Sequence, residues 1–140
     1  MEFEIIDHPA DIGFRVVAPR LEESFEKAGR ALYSLLLSSF DEEDAVEVKF
    51  NIRSEDLESL LYDFLEHLLI MFEVDDIIAT GISVSLDESE GHYDLEGHVK
   101  GCMARPLSFK RNYDVKAITY HMMEIRETSE GWMIQVIVDI

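Results

Sequence analysis

A chain of 140 residues, 47% hydrophobic and 30% charged, has the size and apolar content of one globular domain and excludes a disordered segment. Twelve Lys and Arg stand against 30 Asp and Glu, a formal net charge of −18, which repels phosphate backbones and argues against broad nucleic-acid binding. The single cysteine, Cys102, rules out an internal disulfide and a cysteine zinc cage. No apolar run approaches the roughly 20 residues of a membrane span, and the acidic start Met1-Glu2-Phe3-Glu4 does not read as a secretion signal. A cytoplasmic protein with no membrane partner is expected.

The first element is a hairpin. Phe3 to Ile6 and Phe14 to Val17 are short runs suited to a pleated, half-buried surface. Between them lies Asp7-His8-Pro9-Ala10-Asp11-Ile12-Gly13, in which Pro9 fixes its own φ and pushes His8 toward an extended conformation. This turn holds two carboxylates and an imidazole within five positions. Aspartates also close turns by accepting nearby N–H groups, so the spacing by itself leaves a structural role open.

Leu21, Phe25, Ala28, Leu32, Leu35 and Leu36 recur at helical spacing and predict a helix over 21–37, with Glu22 and Glu23 at its positive end. Asp41, Glu42, Glu43 and Asp44 form an acidic connector that reads as solvated. Val46, Val48, Phe50 and Ile52 alternate with polar residues as a strand. Ser54 is the expected N-cap of a core helix carrying Leu57, Leu60, Leu61, Phe64, Leu65, Leu68, Leu69 and Phe72. His67 falls within that run and is expected on its polar side. Residues 77–86 and 93–99 form a second hairpin, with His92 and His98 as surface residues.

Residues 101–113 are the longest irregular stretch, and Lys100, Arg105, Lys110, Arg111 and Lys116 make that region a basic island. A strand is expected over 115–126. A final strand over 132–139 is apolar on nearly both faces. The order ββαβαββββ makes an α+β fold: a mostly antiparallel sheet of about seven strands with two helices packed on one face. No phosphate-binding glycine loop, nucleophile elbow or cysteine–histidine arrangement accompanies it.

Asp139 does not fit the last strand's pattern, being in phase with Met133, Gln135 and Ile137, and Ile140 adds an α-carboxylate. Two buried carboxylates repel unless a cation joins them. Lys116 could pair with them, or a hard divalent cation could take their oxygens with Asp11 as a third donor. A solvated strand end is the remaining possibility.

Three motifs carry a family resemblance. Residues 7–13 resemble the DHTADVG opening of the archease family, Asp114-Val115-Lys116-Ala117-Ile118-Thr119-Tyr120-His121 resembles its EVKAVTYH segment, and Gly131-Trp132 with Val136-Ile137-Val138-Asp139-Ile140 is similar to its closing motif. The resemblance covers the whole chain and implies a single archease-like domain over 1–140. It further implies a non-catalytic cofactor of the tRNA-splicing RNA ligase, promoting the ligase's guanylylation from GTP and its multiple turnover. The family's metal ligands map onto Asp11, Asp139 and Ile140, with calcium, manganese or magnesium as the cation. Asp11, Lys116, Asp139 and His8 are the residues expected to serve ligase activation. Two departures stand out: Pro9 replaces the family's usual threonine, and residues 101–112 are basic where an acidic, proline-containing run is expected.

Two other functions use the same residues. A metal-dependent hydrolase would activate water on these carboxylates, with His8 or His121 as base. A chaperone-like module would instead bind a tRNA-modification enzyme such as a tRNA methyltransferase, with the carboxylates only a salt-bridged end.

Overall fold

The computed structural model describes residues 3–8, 10–42, 44–104 and 109–140. Pro9, Glu43, and Arg105 and Pro106 of the basic stretch lie outside the described residues. Strand β1 (Phe3–His8) pairs antiparallel with β2 (Asp11–Ala18), in which Ile12, Phe14, Val16 and Ala18 are buried at every second position. Helix α1 (Leu21–Leu36) follows, then β3 (Leu37–Phe40) and β4 (Ala45–Ser54). Helix α2 (Leu57–Glu73) leads into β5 (Ile77–Ser89) and β6 (His92–Met103). The chain finishes with β7 (Phe109–Arg111), β8 (Ala117–Ile118), β9 (Glu124–Thr128) and β10 (Gly131–Asp139).

The α+β class and the antiparallel pairing are as expected. The strands, however, divide among three sheets instead of one. The first runs β1-β2-β10-β8, with β9 on the same edge of β10 as β8; the second is β3-β7; the third is β4-β6-β5. Helix α1 packs on β2 and β10 of the first sheet and on β5 of the third, so the helices share a core with both. The breadth of the apolar surface on α2 explains this: Leu60, Leu61, Phe64, Leu65, Leu68, Leu69, Met71 and Phe72 are all buried, more than one sheet can cover. Each such side chain contributes about 1.5–3 kcal/mol by leaving water. Periodicity shows which face is buried but not what buries it.

Several local details differ from the sequence reading. Helix α2 begins at Leu57 with Asp56 as N-cap, whose carboxylate accepts the Ser59 N–H at 2.7 Å. Ser54 ends β4 instead and donates its hydroxyl to Asp63 at 2.7 Å. His67 is not simply solvated, because its ring lies tilted against Phe50 with centroids 4.1 Å apart. His92 and His98 face Asp94 and Glu47. Within the stretch read as irregular, β7 pairs with β3, and Arg111 lies over the rings of Phe72 and Phe109.

The expected strand over 115–126 is two short strands separated by a turn. Thr119 explains the break: its hydroxyl donates to the Ile137 carbonyl at 2.7 Å and accepts the His121 N–H at 3.2 Å. Met122 then adopts φ of 54°, a left-handed conformation that a strand does not contain. Elsewhere Tyr33 is buried with its hydroxyl 3.2 Å from the Leu68 and Ile77 carbonyls, and burial pushes its phenol above the ordinary range. No helix among the described residues is long and apolar enough to cross a membrane.

Candidate functional site

The first sheet brings the two ends of the sequence together. In the β1–β2 register His8 stands opposite Asp11, and in the β2–β10 register Asp11 stands opposite Asp139. Asp139 in turn pairs with Ala117 of β8, the residue after Lys116. One row across four strands therefore carries the positions His8, Asp11, Asp139 and Ala117. Residues from three separate segments of sequence meet there because antiparallel pairing places them at equal height.

The Ile140 N–H donates to the Ala10 carbonyl at 3.4 Å, directly beside the Asp11–Asp139 pair. That bond makes Asp11 and Asp139 a non-hydrogen-bonded pair, the type in which facing side chains approach more closely. On the other edge the Lys116 N–H donates to the Asp139 carbonyl at 2.8 Å. The end of β10 is thus held on both sides, and the frayed strand end considered from sequence is not what forms.

The two carboxylates differ. Asp139 is exposed, so the burial its strand pattern suggested does not apply to it. Asp11 is half-buried, and its Oδ1 is fully buried with no hydrogen-bond partner among the described residues. An unpartnered buried carboxylate oxygen costs free energy unless a cation or donor reaches it. Lys116 is exposed, and its ammonium forms no ion pair among the described residues, so it does not supply that partner. Likewise, no three His, Cys, Asp or Glu side chains converge into a metal-ligating group among the described residues. A cation at this site would have two side-chain donors, Asp11 and Asp139, and would need its third from Ile140. The donor set is oxygen alone, which fits a hard divalent ion.

Gly13 shows why the opening motif carries glycine. A Cβ there would lie 2.5 Å from the Val136 carbonyl oxygen and 2.5 Å from Ile137 Cδ1, so a larger residue would force β2 away from β10. Gly13 therefore keeps the strands close enough for Asp11 and Asp139 to face each other.

The chain matches the model of the archease protein family over residues 3–140. The chain belongs to the archease family. It is 37% identical to protein archease of Pyrococcus furiosus over 140 residues, spanning 99% of each chain. It is 35% identical to protein archease of Methanosarcina mazei, spanning 99% of this chain and 96% of that one. The solution structure of Methanobacterium thermoautotrophicum protein 1598 is similar to it, with a TM-score of 0.84, 33% identity and 99% of both chains covered. Archease membership accounts for the three motifs and the α+β fold together.

One structural feature beside the site was missed from sequence. Gln135 is 4% exposed, accepts from the Arg15 guanidinium through Oε1 at 2.5 and 3.2 Å, and donates through Nε2 to the Met122 carbonyl at 2.9 Å. It fixes the strained turn after the Lys116–His121 segment. The available signal was a glutamine in phase with Met133 and Ile137 on a strand that otherwise reads as buried. His121 itself is exposed on that turn.

Proposed function

We propose that this archease is a cytoplasmic, non-catalytic accessory protein that promotes guanylylation and turnover of the tRNA-splicing RNA ligase through a carboxylate site at the end of its first sheet. The observation that carries this reading is Asp11 Oδ1, buried without a partner among the described residues, on a residue directly opposite Asp139. Asp11, Asp139 and the Ile140 α-carboxylate would hold a divalent cation, with calcium, manganese and magnesium as the candidates. A bound ion would place a hard positive charge where the described residues leave only anionic oxygens. Asp11 anchors the site from a half-buried position, while Asp139 presents its carboxylate to solvent and to a partner. Lys116 offers an exposed ammonium from the residue preceding β8, and His8 takes its place opposite Asp11 in the hairpin.

The test is a reconstituted assay in which purified ligase joins RNA ends under multiple-turnover conditions. Wild-type protein is expected to raise the turnover number. Asp11→Ala and Asp139→Ala, each shown folded by circular dichroism, are expected to lose most of that stimulation, and Lys116→Ala part of it. Full stimulation by a folded, metal-free Asp11→Ala protein would overturn the proposal. Cleavage of an RNA phosphoester by the isolated protein would favour the hydrolase instead.

A further inference from the structure

We propose that the stacked Tyr62–Tyr120 pair, with the exposed stripe of α2 beside it, is a docking surface for an arginine-bearing segment of a partner protein. The rings of Tyr62 and Tyr120 lie 4.5 Å apart at 9°, an interlayer stack that covers one face of Tyr120. Tyr120 nonetheless remains 53% exposed, which leaves much of the residue open to solvent. Met122, two residues on, is 52% exposed, and Ile70 is 48% exposed. Tyr62, Glu66 and Ile70 follow one another at four-residue intervals and share one side of α2. Large apolar side chains grouped on the surface of a highly charged protein mark a contact site.

Charge identifies the occupant. Glu66 stands one turn from Tyr62 on the same side of α2; burial, with the charges of Glu66 and Asp63, holds the Tyr62 phenol above its ordinary range. The stack is therefore bordered by carboxylates on its Tyr62 side, on a molecule of net charge −18. An arginine guanidinium satisfies both features, since it stacks flat on an aromatic ring and pairs with a carboxylate through its edge. A lysine ammonium matches the charge but not the planar face. Nucleobases also stack on tyrosine, but their phosphates would meet Asp63 and Glu66.

The ring is presented rigidly. The Met123 N–H donates to the Tyr120 carbonyl at 3.1 Å, and Gln135 holds the Met122 carbonyl on the adjoining residue. A preformed surface of this kind loses little freedom on binding.

The experiment is a 1H–15N nuclear magnetic resonance titration of the full chain with a tetra-arginine peptide, a tetra-lysine peptide and single-stranded oligouridine. The largest shifts with tetra-arginine are expected at Tyr62, Glu66, Tyr120 and Met122, with affinity about threefold above that for tetra-lysine. Tyr120→Ala should reduce the arginine affinity to the lysine level, and Tyr120→Phe should keep it. Shifts spread evenly over the acidic surface, or indifference to Tyr120→Ala, would overturn the proposal. Stronger shifts of these residues by oligouridine would overturn it in favour of nucleobases. No ligase takes part, so the result is independent of the ligase reading.

Discussion

Without a cation, the pairing of Asp11 with Asp139 works against the fold. Directly opposed residues in an antiparallel sheet have Cβ atoms about 5 Å apart, and like charges there are destabilising. Two charges about 6 Å apart repel by about 0.7 kcal/mol in water and about 2.8 kcal/mol at an effective dielectric constant of 20. Asp139 is exposed and Asp11 half-buried, so the lower end applies, about 1 kcal/mol. Asp139→Asn is therefore expected to stabilise the chelator-treated protein by that amount. For a chain of this length the unfolding entropy is about 0.3 kcal/mol/K, which makes the gain about 3 °C in Tm. A cation reverses the order. At a hundredfold excess over Kd the wild type gains about 2.7 kcal/mol, or about 9 °C, while the variant has lost one of two side-chain donors and gains little. Thermal unfolding of both proteins, followed by circular dichroism in chelator and then in calcium or manganese, measures both effects. If the wild type is the more stable protein in chelator and neither ion raises its Tm, the repulsion argument and the site argument both fail.

Gly13→Ala should cost about 1–3 kcal/mol in urea denaturation, because the new Cβ meets the Val136 backbone carbonyl, which cannot move without parting β2 from β10; an unchanged midpoint would show that the strands have room to shift. Asp56→Ala should cost about 1 kcal/mol by removing the α2 N-cap. Its bond to Ser59 lowers the Asp56 pKa, so this stability is present above the ordinary aspartate value and lost as pH falls through the lowered one; the deficit of the variant should shrink in acid. Burial lowers the His67 pKa, so protonation favours the unfolded chain, and wild-type stability should fall as pH drops below about 6.5. His67→Gln should show a smaller loss between pH 7.5 and 5.5 in paired urea titrations, and equal losses would refute the assignment.

Elements with a repeating apolar pattern were legible in advance. Helix α1 ends at Leu36 where its spacing predicts 37, and β10 begins one residue before the expected strand. The α2 cap was misplaced because Ser54 and Asp56 are both good capping residues, and only the backbone decides between them. The break after Ile118 was hidden because Thr119, Tyr120 and Met122 all favour or tolerate strands, while the turn depends on hydrogen bonds from Thr119 and Gln135 to distant residues. Asp139 stood out as a carboxylate in an apolar strand, and Asp11 as one of two carboxylates in the turn of the first hairpin. That they face each other follows from register, which no local pattern contains. The Tyr62–Tyr120 stack was invisible for the same reason.

The Asp11–Asp139 pairing also bears on how the protein is made. The two residues lie nearly the full length of the chain apart, so their meeting is among the most costly loop closures in the fold. Contacts of this range slow folding, and a ribosome extends a chain at only about 5–20 residues per second. The hairpin carrying Asp11 must wait through synthesis of both helices and the strands between before β10 arrives beside it. A nascent chain can therefore bury much of α1 and α2, yet the two carboxylates are brought together only once β10 has been made.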